Sequence, residues 1–429
     1  FAAQAVADGA AAVLAARPVG VPAVIAAPVT ADDAHAGVLE HDDDGAGAAV
    51  LAALARLAAA VAAELAAGGT RIVGLTGSSG KTSTKDLIAA VLRPLGEVVA
   101  PPGSFNNELG HPWTVLRATK DTDFLVLELS ARHPGNIASL ARIATPSIGV
   151  VLNVGTAHLG EFGSREVIAQ TKSELVQALP ESGVAILNAD DPVVAAMASK
   201  THARVVTVGR GPSAQLRAED VTLDELARPR FTLVTGAGRI PVSLAVHGEH
   251  QVGNALSAAA VALECGATLE QIATALAAAE PASRHRMEVA TTPGGVTVIN
   301  DAYNANPDSM RAGLQALAVM ARSRGARSWA VLGEMGELGE ESITEHDRIG
   351  RLAVRLDISR LVVVGTGRSM SAMHQGAVME GSWGSESVMV PDAASALELL
   401  RAELEPGDVV LVKASNAAGL SALAEELHR

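Results

Sequence analysis

Residues 72–82 read Ile72-Val73-Gly74-Leu75-Thr76-Gly77-Ser78-Ser79-Gly80-Lys81-Thr82, and this segment carries the strongest structural signal in the chain. An apolar run enters a glycine-containing loop, and a helical pattern follows over residues 84–92. Glycines let backbone N–H groups face phosphate oxygens, and the start of a helix adds positive potential. Lys81 can reach the terminal phosphates of a nucleotide, and the Thr82 hydroxyl can bind Mg²⁺. The strict P-loop pattern has glycine where this chain has Leu75, so the segment predicts a variant loop for ATP or GTP with Gly77 as its first glycine.

Strand-like runs alternate with helical segments downstream of this loop. The first set of runs covers residues 71–75, 124–127, 148–152, 184–187 and 205–208, and the second covers 296–299, 329–332, 361–364 and 409–412. Residues 231–234 and 240–245 flank Gly236-Ala237-Gly238 and predict a hairpin between the two sets. The alternation predicts two α/β units with parallel sheets and crossover helices.

The 429 residues are enough for two or three domains. We place the boundaries at 1–68, 69–283 and 284–429. In the first unit, residues 48–67 form an Ala/Leu-rich stretch that contains Arg56 and Glu64 and has its larger apolar residues at helical spacing. This pattern favours an amphipathic helix of a soluble protein over a membrane span.

The charge balance excludes a general nucleic-acid binder. Lys and Arg number 33 against 47 Asp and Glu, which gives a formal net charge of -14, whereas such binders need a basic surface. The single cysteine, Cys265, excludes an intramolecular disulfide and fits a reducing, cytoplasmic compartment.

Three side chains outside the loop are candidates for the same site. Glu128 directly follows the run 124–127, and His158 follows the run 148–152, so both lie at the carboxyl ends of predicted strands. If these strands flank the phosphate-loop strand, the two side chains converge on the nucleotide and suit Mg²⁺. Lys172 is one of only six lysines and lies on the apolar side of a predicted helix over 164–179. It either extends to solvent or is a neutralised or modified lysine in a site.

Two other polar segments have simpler interpretations. The loop Ser104-Phe105-Asn106-Asn107-Glu108-Leu109-Gly110 has too little charge to be a metal site alone and is explained by turn chemistry. His247-Gly248-Glu249-His250 has two histidines but no obvious third ligand, so we do not assign it zinc.

The chain resembles the Mur ligase family over essentially its whole length. The motifs that carry this resemblance occur in the family's order, at residues 76–82, 106–110, 128, 153–158, 172, 250–254 and 286–301. The block Asn300-Asp301-Ala302-Tyr303-Asn304-Ala305-Asn306-Pro307-Asp308-Ser309-Met310, with residues 332–339, is similar to the family member that adds a dipeptide.

The resemblance implies a three-domain α/β fold. It consists of a partial N-terminal UDP-binding domain, a central P-loop domain and a C-terminal Rossmann-like domain. The implied activity is an ATP-dependent ligase that adds D-alanyl-D-alanine to UDP-N-acetylmuramoyl-tripeptide through an acyl phosphate, in peptidoglycan precursor synthesis. It also implies a monomer.

The resemblance assigns roles to particular residues. Lys81, Glu128, His158 and Lys172 are expected to be catalytic, and Thr82, Glu128, His158 and a carbamylated Lys172 are expected to hold Mg²⁺. The expected ATP contacts are Thr76, Gly77, Ser78, Ser79, Gly80, Lys81, Thr82, Ser83, Asn254, Arg286 and Asp301. The expected substrate contacts are Asn106, Asn107, Thr156, Tyr303, Asn304, Asn306 and Lys413.

The sequence departs from the family pattern at three places. The family usually has Lys-Gly-Ser-Arg where this chain has Lys413-Ala414-Ser415-Asn416, and Gln251 stands where asparagine is common. The chain also begins partway into the family's N-terminal domain, so we expect weakened binding of the UDP substrate. The alternatives are a Mur ligase that adds diaminopimelate or lysine, a folylpolyglutamate synthase, and an ATP-binding protein of this fold without ligase turnover.

Overall fold

A computed structural model of the chain describes residues 1–28, 42–155, 159–381 and 386–428. The N-terminal part contains a small parallel pair of strands and one long helix. Its elements are α1 (Ala2–Ala7), β1 (Val13–Ala15), β2 (Ala23–Ile25) and α2 (Ala46–Ala67). The carboxylate of Asp42 accepts hydrogen bonds from the backbone N–H groups of Gly47 and Ala48 at 2.6 and 2.8 Å, which satisfies donors at the start of α2.

Helix α2 packs one stripe on the neighbouring α/β unit. Ala58, Ala62 and Leu65 are buried among the apolar side chains of that unit. Within the described ranges, α2 is also the one helix long and apolar enough to cross a membrane, with a mean hydropathy of 1.9. A single helix of this kind is weak evidence for a membrane span, because helices packed on the core of soluble proteins pass the same test.

The central unit is built on a nine-stranded sheet with the order β11-β10-β9-β8-β7-β6-β3-β5-β4. Its strands are β3 (Arg71–Thr76), β4 (Val98–Val99), β5 (Phe124–Glu128), β6 (Ile148–Val151), β7 (Val184–Asn188), β8 (Arg204–Gly209), β9 (Leu216–Leu223), β10 (Pro229–Thr235) and β11 (Gly238–Ser243). Strand β3 pairs in parallel with both β5 and β6, as the placement of Glu128 and residues 148–152 required. The predicted hairpin is the antiparallel pair β10–β11, whereas strand β9 is not recognised in the sequence.

Helices cover both faces of this sheet. They are α3 (Lys81–Leu92), α4 (Gly110–Val115), α5 (Asn136–Ile143), α6 (Leu159–Phe162), α7 (Arg165–Gln177), α8 (Pro192–Ala195), α9 (Gln251–Glu264) and α10 (Leu269–Ala278). Helices α3, α9 and α10 pack on one face, and α2, α5 and α7 pack on the other. The middle strands are therefore buried on both sides, which explains why they read as continuous apolar runs.

The C-terminal unit has a six-stranded sheet with the order β12-β13-β17-β14-β15-β16. Its elements are β12 (Glu288–Thr291), β13 (Thr297–Asn300), α11 (Pro307–Arg324), β14 (Ser328–Leu332), α12 (Ser342–Arg355), β15 (Arg360–Val364), α13 (Arg368–Glu380), β16 (Ser387–Val390), α14 (Ala393–Glu403), β17 (Val409–Lys413) and α15 (Ser421–Leu427). The four predicted strands are present and parallel to one another. The two edge strands were not predicted from the sequence: β12 pairs antiparallel with β13, and β16 pairs in parallel with β15.

Candidate active site

The phosphate loop connects the buried strand β3 to helix α3. Helix α3 begins at Lys81, three residues before the predicted start, because Gly80 ends the loop with a left-handed φ of 81°. Only glycine suits this position, since a Cβ there would also lie 2.9 Å from Asn254 Oδ1. Lys81 Nζ donates to the Gly77 carbonyl at 2.7 Å, so the ammonium lies over the loop. Desolvation lowers the pKa of Lys81, and the nearby Glu128 carboxylate opposes this shift.

Asn153 fixes the shape of the loop. Its Oδ1 accepts hydrogen bonds from the N–H groups of Ser78 and Ser79, both at 2.9 Å, and its Nδ2 donates to the Ser79 carbonyl at 3.1 Å. Two amides that we expected to face phosphate are therefore bound to a side chain in this structure. No role for Asn153 was predicted from the sequence, although its position just after a buried strand was the available signal.

Glu128 ends strand β5 with its side chain fully buried beside the start of α3. Its Oε2 lies 3.3 Å from the Thr82 hydroxyl and 3.2 Å from Asn106 Nδ2, while its Oε1 is buried without a hydrogen-bond partner among the residues that the structure describes. Desolvation raises the pKa of this carboxyl, and Lys85, Arg286 and Lys81 oppose the shift. A buried carboxylate oxygen without a donor is a fitting ligand for a cation.

The loop after residue 103 contributes directly to this arrangement. Asn106 donates to Glu128, whereas Asn107 Oδ1 accepts from the Gly110 N–H at 2.8 Å at the start of α4. Turn chemistry therefore explains Asn107 in this structure but not Asn106. Both residues line the cavity described below.

Lys172 lies on the buried side of α7 and is 5% exposed. The possibility that it extends to solvent is therefore excluded. Within the described part of the chain, no hydrogen-bond acceptor or carboxylate contacts its Nζ. Burial, and to a lesser degree the positive charge of Lys81, lower its pKa well below the ordinary value. The side chain is consequently suited to exist as a neutral amine.

His158 and Thr156, predicted to hold metal and substrate, lie outside the described residues. The other histidine segment shows no metal arrangement: His247 Nδ1 lies 2.8 Å from the Leu226 carbonyl oxygen. In the described ranges, no group of three or more His, Cys, Asp or Glu side chains is placed to share a metal ion.

The C-terminal unit places five of its predicted residues opposite the loop. Asp301 follows β13 and Lys413 ends β17, and their side chains form an ion pair of 2.6 Å. Lys413 Nζ also donates to the Asn304 carbonyl at 3.0 Å. The Arg286 guanidinium lies 4.3 Å above the centre of the Tyr303 ring. These contacts hold the side chains at the carboxyl edge of the sheet, where ligands bind in open α/β folds.

The two units enclose one cavity of about 1140 Å³. The predicted residues that line it are Ser78, Ser79, Gly80, Lys81, Thr82, Ser83, Asn106, Asn107, Asn254, Arg286, Asp301, Tyr303, Asn304, Asn306 and Lys413. Thr76, Gly77, Glu128 and Lys172 lie behind this surface. Asn254 Nδ2 donates to Gln251 Oε1 at 2.8 Å, so the unusual glutamine orients the predicted nucleotide contact.

Contacts across the cavity join the central and C-terminal units. Asn306 Nδ2 lies 3.5 Å from the Ser78 carbonyl oxygen, and Arg132 forms a 2.8 Å ion pair with Glu337. The Gly160 N–H donates to the Glu337 carbonyl at 3.3 Å. The contacts that Arg132, Gly160 and Glu337 make between the units were not predicted from the sequence.

Gly160 permits the closest of these approaches. A Cβ at this position would lie 2.6 Å from the backbone nitrogen of Gly339. Gly160→Ala should therefore disturb the contact between the central and C-terminal units and lower turnover about 10-fold. Steady-state assays together with thermal unfolding would check this. Gly236→Ala is the matched control, because no atom lies within 4 Å of the Cβ it adds. Equal turnover in the two variants would contradict the role of this contact.

Comparisons with known proteins agree with this geometry. The Mur ligase middle domain matches residues 75–262, and the Mur ligase glutamate ligase domain matches residues 285–416. A Mycobacterium tuberculosis UDP-N-acetylmuramoyl-tripeptide–D-alanyl-D-alanine ligase is 72% identical over 99% of this chain and 86% of that protein.

Two crystal structures resemble the fold over its length. MurF from Acinetobacter baumannii has a TM-score of 0.83 and 30% identity, over 99% of this chain and 86% of that one. MurF ligase from Thermotoga maritima in complex with ADP has a TM-score of 0.80 and 27% identity, over 99% and 90%. The family and the α/β fold class expected from the sequence are both confirmed. The chain belongs to the Mur ligase family, in its group of UDP-N-acetylmuramoyl-tripeptide–D-alanyl-D-alanine ligases.

Proposed function

We infer that the chain is an ATP-dependent ligase that joins D-alanyl-D-alanine to UDP-N-acetylmuramoyl-tripeptide in peptidoglycan precursor synthesis. The observation that carries this inference is the 72% identity to a ligase of that name over 99% of the chain. The cavity between the phosphate loop and the C-terminal unit, about 1140 Å³, is slightly larger than an ordinary site for one small molecule. The ADP complex of the T. maritima relative supports ATP as the nucleotide.

We propose a reaction in two steps. The terminal carboxylate of the tripeptide attacks the γ-phosphorus of ATP, which forms an acyl phosphate and releases ADP. The amine of D-alanyl-D-alanine then attacks the acyl carbon, and phosphate leaves with the formation of an amide bond and loss of a proton. Lys81 stabilises the charge on the migrating phosphoryl group, since its ammonium already lies over the loop.

Mg²⁺ fits the buried end of this site. Thr82 and Glu128 would hold one ion, and the unpaired Glu128 Oε1 supports this assignment. A bound Mg²⁺ would neutralise part of the negative charge on the phosphates. Lys172 and His158 would hold a second ion. In this proposal, the neutral amine of Lys172 adds CO₂ and loses a proton to become a carbamate. The carbamate would supply a carboxylate-like ligand where the site has few carboxylates.

The remaining roles follow the positions of the side chains. Asn254 would contact adenine, Arg286 a phosphate and Asp301 the ribose, with Lys413 orienting Asp301. We also propose that the substrates contact the polar residues expected from the resemblance, which are Asn106, Asn107, Thr156, Tyr303, Asn304, Asn306 and Lys413. We keep the domain boundaries at residues 68 and 283, and we propose a cytoplasmic monomer, as expected from the single cysteine and from the resemblance to the family.

Replacing Glu128 by glutamine should weaken the response to Mg²⁺. The variant keeps the shape of the side chain but removes its charge, so half-maximal activity should need about 10- to 100-fold more Mg²⁺. A magnesium titration of turnover measures this. Glu166→Gln makes the same change at an exposed position of α7, and an unaltered titration in the Glu128 variant would remove its metal role.

The choice of acceptor separates this function from its nearest rivals. Turnover should occur with D-alanyl-D-alanine and not with free diaminopimelate or lysine when the other substrates are supplied. Product mass identifies the added unit. Turnover with the amino acid alone would exclude the dipeptide-adding function.

A further inference from the structure

Helix α11 turns one polar face toward the cavity. Asp308, Arg311 and Gln315, which are spaced three or four residues apart, all line it. At the start of the helix, Asp308 Oδ2 fills the space that a side chain at Gly155 would occupy. The start of this face is therefore held against the loop where the reacting groups meet, and Arg311 lies one helical turn farther along.

Arg311 is only weakly engaged by the protein. Its side chain is 48% exposed, and its ion pair is with Asp308 at 3.2 Å, whose side chain is itself 36% exposed. Exposed pairs of this kind contribute little to stability. The guanidinium is therefore free to exchange this partner for a ligand carboxylate.

The other cations of the cavity have defined partners in the structure. Lys413 is 2% exposed and bound to Asp301, and Arg286 stacks on Tyr303. On the central unit, the Arg132 side chain is about as exposed as that of Arg311, but its ion pair with Glu337 is shorter, 2.8 Å against 3.2 Å, and joins the two units. Arg165 donates through both Nε and Nη2 to the Val154 carbonyl, at 3.0 and 2.8 Å. Lys81 is occupied at the phosphate loop.

The dipeptide requires a cation at a definite distance from the chemistry. Its amine must reach the acyl carbon near the loop, and its far end is a carboxylate. Two extended residues span about 7 Å, so the carboxylate lies roughly that far from the reacting amine. Arg311 lies about one helical turn, about 5 Å, from Asp308, and the length of its side chain extends the guanidinium farther. The guanidinium can therefore reach a carboxylate about 7 Å from the reacting amine.

We propose that Arg311 binds the terminal carboxylate of D-alanyl-D-alanine and selects a dipeptide with a free carboxyl end. This proposal rests on the ligase function inferred above. A guanidinium can bind a carboxylate through two parallel hydrogen bonds, which favours it over an uncharged amide.

The test compares D-alanyl-D-alanine with its C-terminal amide in the wild-type enzyme and in Arg311→Gln. The wild type should use the acid with a kcat/KM about 10- to 100-fold above that of the amide. In Arg311→Gln, the KM for the acid should rise by a similar factor, the preference should disappear, and the KM for ATP should stay unchanged. Arg348→Gln is the matched control, because it removes an arginine paired three residues away, with Glu345 on α12, outside the cavity.

The outcomes separate the two claims. An undiminished preference for the acid in Arg311→Gln, or equal losses with acid and amide, would overturn the role of Arg311. No turnover of either dipeptide by the wild type would instead contradict the ligase function. Circular dichroism of the variant confirms folding, and Arg311→Lys, which keeps the charge, should retain part of the preference.

Discussion

Replacing Lys172 by alanine is expected to abolish ligation and to leave ATP binding intact. Lys172 is buried on α7 without a hydrogen-bonding partner in the described part of the chain, and its pKa lies well below the ordinary value. A neutral amine in that position can form a carbamate, which would complete the metal site behind the phosphate loop. Loss of a metal ligand should reduce turnover on the order of 100-fold or more. Phosphate release and nucleotide binding, measured separately, show whether only the chemistry is lost.

Two further measurements distinguish a carbamate from a packing role. Short carboxylates added to Lys172→Ala should restore part of the activity, and removal of CO₂ should lower the activity of the wild type until bicarbonate is returned. Lys200→Ala is a suitable control, because Lys200 bonds to Ser173, the residue after Lys172. Unchanged turnover in Lys172→Ala would remove the carbamate proposal.

Replacing Lys81 by methionine should have a comparably large effect. The methionine side chain fills similar space but cannot stabilise the charge of the migrating phosphoryl group, so acyl-phosphate formation should fall about 10³-fold. Hydroxylamine, which converts an acyl phosphate to a hydroxamate, gives a direct readout of this step. Lys120→Met, at an exposed position, should behave as the wild type. Hydroxamate formation by Lys81→Met within threefold of the wild type would contradict the role of Lys81.

The phosphate loop and the position of Lys172 on the apolar side of its helix could be predicted because both are local patterns, although the sequence left open whether Lys172 extends to solvent. A strand, a glycine loop and a helix follow one another in residues 71–92, and the spacing of Lys172 relative to Ile168 already placed it on the apolar side of its helix. The strands that were missed are different in kind. In β9 and β12 most side chains are exposed or only partly buried, so the apolar run that marked the middle strands is weaker.

The contacts that join the units could not be predicted from spacing. Asn153 binds a loop about 75 residues earlier in the chain. Lys413 binds Asp301 because β17, the last strand in the sequence, lies between β13 and β14 in the sheet. Such partners depend on strand order, which the pattern of apolar residues leaves open. The resemblance to the Mur ligases indicated that Asp301 and Lys413 matter, but only the structure places them together.

Phosphate release with ATP and Mg²⁺, measured with and without each of UDP-N-acetylmuramoyl-tripeptide and D-alanyl-D-alanine, tests the central claim most directly. We expect release only when both substrates are present, together with a UDP-linked pentapeptide of the mass of the two joined. Binding of ATP without release in the complete mixture would contradict the ligase function and would favour a nucleotide-binding protein of this fold.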